Sequence, residues 1–141
     1  MKKLIAYFSP SGNTKAMAEK LAKATGADLF EIKPQTPYTR ADLDWTNKNS
    51  RSSVEMNDKS YRPQIAQLPN SLANYDTIFI GFPIWWYVAP TIINTFVENV
   101  DLDGKKVIPF ATSGGSGMGK TLANLKPSCP GANWVEGKVI N

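Results

Sequence analysis

The chain has 141 residues, 42% of them hydrophobic and 20% charged, with a net charge of +4, one cysteine and no histidine. Such a length makes a single domain, 1–141, that buries roughly two-thirds of the surface its unfolded form exposes. The missing histidine excludes hydrolytic triads, imidazole acid–base chemistry and most zinc sites, and the lone Cys129 excludes an internal disulfide and points to the cytosol.

Lysine and arginine are scattered along the chain, so no nucleic-acid surface is expected, and no apolar run is long enough for a membrane span. Lys2 and Lys3 precede an apolar run of only about five residues with no cleavage site after it, which reads as a strand and not as a leader. That run, Leu4-Ile5-Ala6-Tyr7-Phe8, leads into Ser9-Pro10-Ser11-Gly12-Asn13-Thr14, and a helical pattern over 15–24 follows, with Met17 and Leu21 beside Ala18 and Ala22. A strand, a loop of hydroxyls with one glycine, and a helix make a phosphate socket. The first helical N–H groups have no intrahelical acceptor, and the dipole favours an anion there. A plain helix cap is the competing explanation, but one capping residue would suffice and the loop offers four.

Gly26 stands where a helix ends. Residues 28–33 alternate Phe30 and Ile32 with Glu31 and Lys33, an edge strand with one wet face, closed by Pro34 and Pro37. From 39 to 58 the chain is polar with isolated apolar residues. Thr39 and Asp42 have capping-box spacing, which predicts a helix starting there in what should be the most mobile stretch. Residues 62–74 read as irregular or as a short helix. Residues 77–82 are apolar on both faces, the mark of a central parallel strand.

Residues 83–89 form a loop by their prolines, yet include Trp85, Trp86 and Tyr87. Pro90 opens a helix whose Ile92, Ile93, Phe96, Val97 and Val100 share one face. A turn at Asp103-Gly104 leads to a fourth strand over 106–111, in which Pro109 lacks a ladder donor and predicts a local bulge. A second glycine-and-hydroxyl loop over 112–119 precedes a short helix over 120–126, and the last strand runs from 134 to 140. Five strands alternating with helices predict an α/β, doubly wound, three-layer sandwich. In such sheets a ligand sits beyond the carboxyl ends of the strands, and the loops after strands one, three and four all lie on that edge.

The first loop suits a phosphate, the aromatic loop a flat ring, and the third loop close backbone approach. Flavin mononucleotide (FMN) has that shape. The three motifs, Ser9-Pro10-Ser11-Gly12-Asn13-Thr14, residues 76–86 and residues 109–117, together resemble those of the flavodoxin family, in a bacterial flavodoxin-like subgroup. The resemblance implies strand order 2-1-3-4-5 and bound FMN. It implies that Ser9, Ser11, Gly12, Asn13 and Thr14 hold the phosphate. Pro83, Ile84, Trp85, Trp86 and Tyr87 would flank the ring and ribityl chain, while Thr112, Ser113, Gly114, Gly115, Ser116 and Gly117 would meet its polar edge. No side chain is singled out as catalytic, and no metal is implied.

The family's members carry electrons to a redox partner protein or reduce quinones with NAD(P)H, so electron transfer through flavin is expected, with an FMN-dependent NAD(P)H oxidoreductase as the alternative. Two departures stand out. The C-terminal helix that the family places after the fifth strand is apparently missing, and the charge is positive where carriers are strongly acidic. The segment 38–63 is expected to shape the acceptor pocket or a homodimer surface. Two remoter readings are an interaction module without cofactor and an NTPase, the latter because 114–121 fits Gly-x-x-x-x-Gly-Lys-Thr. By the bounds read above, no strand ends in the acidic residue that such a site needs for magnesium.

Overall fold

The structure is a computed structural model that describes residues 2–86, 88–113, 118–119 and 121–140. β1 (Lys2–Tyr7), β2 (Asp28–Glu31), β3 (Tyr75–Pro83), β4 (Lys106–Thr112), β5 (Asn133–Trp134) and β6 (Lys138–Val139) form one parallel sheet of order β2-β1-β3-β4-β5, with β6 also paired to β4. This is the 2-1-3-4-5 order of the flavodoxin fold, its fifth strand broken into two short pieces. Among the described residues no helix is long and apolar enough to cross a membrane.

The alternation along β1 divides the core. Leu4, Ala6 and Phe8 join Ile78, Ile80, Phe82, Val107 and Ala111 on one face, covered by α3 (Thr91–Asn99) through Ile92, Ile93, Phe96 and Val97. Ile5, Tyr7 and Phe110 face the other way, against Ala18, Met17 and Leu21 of α1 (Asn13–Thr25). A one-residue slip in β1 would exchange the two faces, so the pattern fixes the register. The end of α1 is Gly26 in the left-handed conformation, its N–H bonded to Ala22 O.

Pro109 causes no bulge in its own strand. β4 keeps unbroken register with β3 from Thr77↔Lys106 to Pro83↔Thr112. On the other edge the oxygens of Lys105, Val107 and Ala111 accept from Asn133, Val135 and Ile140. By that alternation Pro109 also faces the last strand. Here the register slips by one residue, from Lys106↔Asn133 to Phe110↔Lys138. The irregularity that the proline requires lies in its neighbour, which is why the expected strand 134–140 is broken at 135–137.

The expected helix at Thr39 is a single turn. Thr39 and Asp42 do exchange capping bonds, Thr39 N–H to Asp42 Oδ2 at 2.9 Å and Asp42 N–H to Thr39 Oγ1 at 3.1 Å, but only turns follow. The helix starts later, as α2 (Arg51–Met56), with the Ser50 side chain accepting the Ser53 N–H. The start of α2 is tied to the chain before it. Arg51 pairs with the buried Glu55 at 3.1 Å, reaches Thr36 O at 2.7 Å, and lies 3.7 Å over the Tyr38 ring. After β4, α4 (Thr121–Leu125) is shorter than expected, because Pro127 lies in a 3-10 turn at Lys126–Ser128.

Candidate functional site

Three segments meet at the carboxyl edge of the sheet. The turn before α1, the start of the loop after β3, and the end of β4 line one cleft of about 430 Å³ through Ser11, Asn13, Pro83, Ile84, Trp85, Thr112 and Ser113. The volume lies within the roughly 300–1,000 Å³ of small-molecule sites. Ala16 and Met17 of α1 complete the wall. Neither was legible as a site residue, because both read as members of a packing face.

At one end of the cleft the backbone is arranged for an anion. Gly12 caps α1 at φ 92°, a left-handed conformation, and offers no side-chain cap. The Lys15 N–H donates to Ser9 Oγ at 2.9 Å, and the Ala16 N–H to Gly12 O. The N–H groups of Ser11, Gly12, Asn13 and Thr14 have no acceptor among the described residues. No acidic side chain stands in the first turn of α1 to repel a negative charge. Ser9 therefore holds the loop, while Ser11 and Asn13 are exposed at the cleft. The Thr14 side chain turns inward. It is buried and hydrogen-bonded to Thr112 Oγ1 at 2.8 Å, locking the first loop to the end of β4.

The aromatic loop is split. Trp85 and Val88 exchange backbone hydrogen bonds of 2.9 and 3.2 Å, forming a tight hairpin with Trp86 at φ 50°. The left-handed region is strained for a tryptophan, and tight two-residue hairpins demand it. The Trp85 ring stands edge-on to Phe8 at 5.7 Å and to Tyr38 at 5.7 Å, while Phe8 and Tyr38 meet at 5.6 Å. Trp86 is exposed and lines a different cleft. Only one indole of the pair thus borders the first cleft. Tyr87, Gly114, Gly115, Ser116 and Gly117 lie outside the described residues.

Tyr38 was missed as a supporting residue, since nothing in its neighbourhood of sequence ties it to a loop 47 residues away. Its hydroxyl donates to the buried Glu55 carboxylate. Burial first, and that bond next, push its ionisation well above the usual tyrosine range. Burial also pushes the Cys129 thiol up, opposite to what a nucleophile needs. Among the described residues no cluster has the makings of a metal site. The Thr121 hydroxyl, which an NTPase loop would offer to metal and phosphate, is buried and donates to Met118 O.

Comparison with known proteins agrees with this architecture. The chain is similar to a solved protein from Bacteroides eggerthii, with 55% identity and a TM-score of 0.95 over 99% of this chain and 87% of that one. It is 30% identical, with a TM-score of 0.74, to a solved flavoprotein in complex with FMN from Lactobacillus acidophilus NCFM, over 96% and 91% of the two chains. The uncharacterized NAD(P)H oxidoreductase YcaK of Escherichia coli K12 is 30% identical over 98 residues, which are 69% of this chain but 45% of that relative. The chain therefore spans less than half of YcaK. A sequence model of the flavodoxin family matches residues 2–141, and the chain belongs to that family.

Proposed function

We propose that the chain binds FMN in the cleft at the carboxyl ends of β1, β3 and β4 and transfers electrons through it. The observation that carries this reading is the row of four backbone N–H groups at Ser11, Gly12, Asn13 and Thr14 that find no acceptor among the described residues, placed at one end of a cleft of ligand size. Those donors, with the Ser11 hydroxyl and the Asn13 amide, would receive the phosphate. Trp85, Pro83 and Ile84 would border the ring, and Thr112 and Ser113 its polar edge, with Tyr87 and residues 114–117 assigned to the same ring end by the family resemblance; Trp86, which lines the other cleft, has no part in it. When bound, the flavin supplies the redox chemistry.

The chain's own contribution is positional. The Thr14–Thr112 bond fixes the phosphate end relative to the ring end, and the edge-on contacts with Phe8 and Tyr38 hold Trp85 in place. The acceptor would be a redox partner protein or a small molecule such as a quinone.

A second reading, an NAD(P)H-dependent reductase, has support from the oxidoreductase name of YcaK and from a positive charge that suits anionic substrates. The first test is titration of the full chain with FMN, followed by flavin fluorescence; saturation at one equivalent is expected. Steady-state NADPH oxidation with a quinone then separates the two readings. Turnover identifies the reductase, whereas reversible photoreduction without turnover identifies the carrier. Failure to bind FMN at any concentration overturns both.

A further inference from the structure

A larger cleft, of about 750 Å³, opens on the opposite side of the Trp85–Val88 hairpin, between α2, α3 and α4. Its walls divide by chemistry. Met56, Trp86, Val88 and Ala89 supply apolar surface, and Trp86 is 44% exposed there. Arg62 and Glu98 also line it but satisfy one another, with Nε to Oε1 at 2.8 Å and the terminal nitrogen to Oε2 at 3.1 Å. The remaining Arg62 nitrogen bonds to Lys59 O and Tyr61 O. The Lys59 ammonium makes no hydrogen bond or ion pair among the described residues, so the lining carries one unmatched positive charge.

Thr91, at the first turn of α3, is 6% exposed, and its hydroxyl has no partner among the described residues. A buried hydroxyl without an acceptor is costly, and a ligand oxygen would relieve it. The apolar walls call for a flat hydrocarbon. The lone cation and the orphan hydroxyl call for an anionic, hydrogen-bond-accepting end.

We propose that this second cleft binds a flat, apolar molecule bearing one carboxylate, at a site separate from the flavin cleft. The proposal does not rest on flavin binding. It does predict coupling, because the hairpin that carries Trp85 on one cleft carries Trp86 and Val88 on the other, and coupling between two sites is reciprocal.

The test uses naphthoate as the probe, titrated calorimetrically into the full chain, with naphthalenemethanol as the uncharged control. Naphthoate is expected to bind at one equivalent, shifting the amide resonances of Val88, Thr91 and Ala123. The control should bind about threefold or more weakly, a gap that Lys59→Ala closes. Thr91→Val removes the hydroxyl at nearly constant shape. It should weaken naphthoate about threefold or more while leaving the melting temperature unchanged or raised. Ala123→Trp, at an exposed position on the rim, should abolish binding.

FMN and naphthoate should bind together, each changing the affinity of the other by the same factor. The proposal is overturned if naphthoate does not saturate, if it shifts resonances elsewhere, or if FMN displaces it stoichiometrically. Unchanged affinity in both Thr91→Val and Ala123→Trp would also overturn it. A lowered melting temperature in Thr91→Val would show the hydroxyl to be structurally satisfied and remove its part in the case.

Discussion

Two residues decide the shape of the flavin cleft's anionic end. Gly12 sits at φ 92°, and a Cβ built there would meet nothing within 4 Å. Its substitution by alanine therefore costs conformational energy and no clash. Gly12→Ala should lose about 1–2 kcal/mol of stability in denaturant unfolding and weaken FMN binding in parallel. Thr14 acts differently. Its buried bond to Thr112 at 2.8 Å is the covalent-free staple between the first and third loops. Thr14→Val keeps the volume but orphans the Thr112 hydroxyl, so stability should fall by about 1–2 kcal/mol by the same measurement. Thr14 illustrates a limit of reading motifs. The hydroxyl at the end of the loop was expected to touch phosphate, and its residue type is indeed that of a ligand. Nothing in one sequence says that a residue 98 positions away shares a hydrogen bond with that hydroxyl.

At the scale of elements, the strands and the helices α1 and α3 were legible because their apolar spacing is strong and local. The segment between β2 and β3 was not. Its order comes from Arg51, which combines a carboxylate, two backbone oxygens and an aromatic face in one place. Glu55 is 2% exposed and depends on that guanidinium and on the Tyr38 hydroxyl. Arg51→Ala should therefore cost about 2 kcal/mol or more in unfolding free energy, well beyond a surface ion pair, because it strands a buried charge.

Tyr38 also sets a pH dependence. Its ionisation is raised in the folded state from the ordinary value near 10.0, so the unfolded chain loses the phenolic proton first. The contribution is complete below that ordinary value and is lost as pH rises past it. Thermal unfolding between pH 9 and 11 should show a fall in melting temperature that is smaller in Tyr38→Phe. Equal slopes in the two proteins would refute the assignment.

Across the whole molecule, the order of the central sheet followed from alternation and crossover rules, while the finish of its last strand did not. Pro109 signalled that something must give; only the register shows that the partner strand gives, through 135–137. Gly137 lies so close to that point that an added Cβ would fall 1.9 Å from Pro109 O. Gly137→Ala must push apart two backbones, and should cost about 2 kcal/mol or more in the same denaturant assay. A loss under about 0.5 kcal/mol would mean that the two strands do not approach so closely.

The central claim is that three strand-end loops hold one nucleotide, its phosphate received by the backbone amides of residues 11–14 at the start of α1. It is tested most directly by comparing the calorimetric affinities of FMN and riboflavin for the same chain, since the two ligands differ only in the phosphate. Several charge-assisted bonds at about 1.5–3 kcal/mol each would make riboflavin weaker by about a hundredfold or more. Equal affinity for the two would contradict the account, because the cleft would then be holding a ring alone.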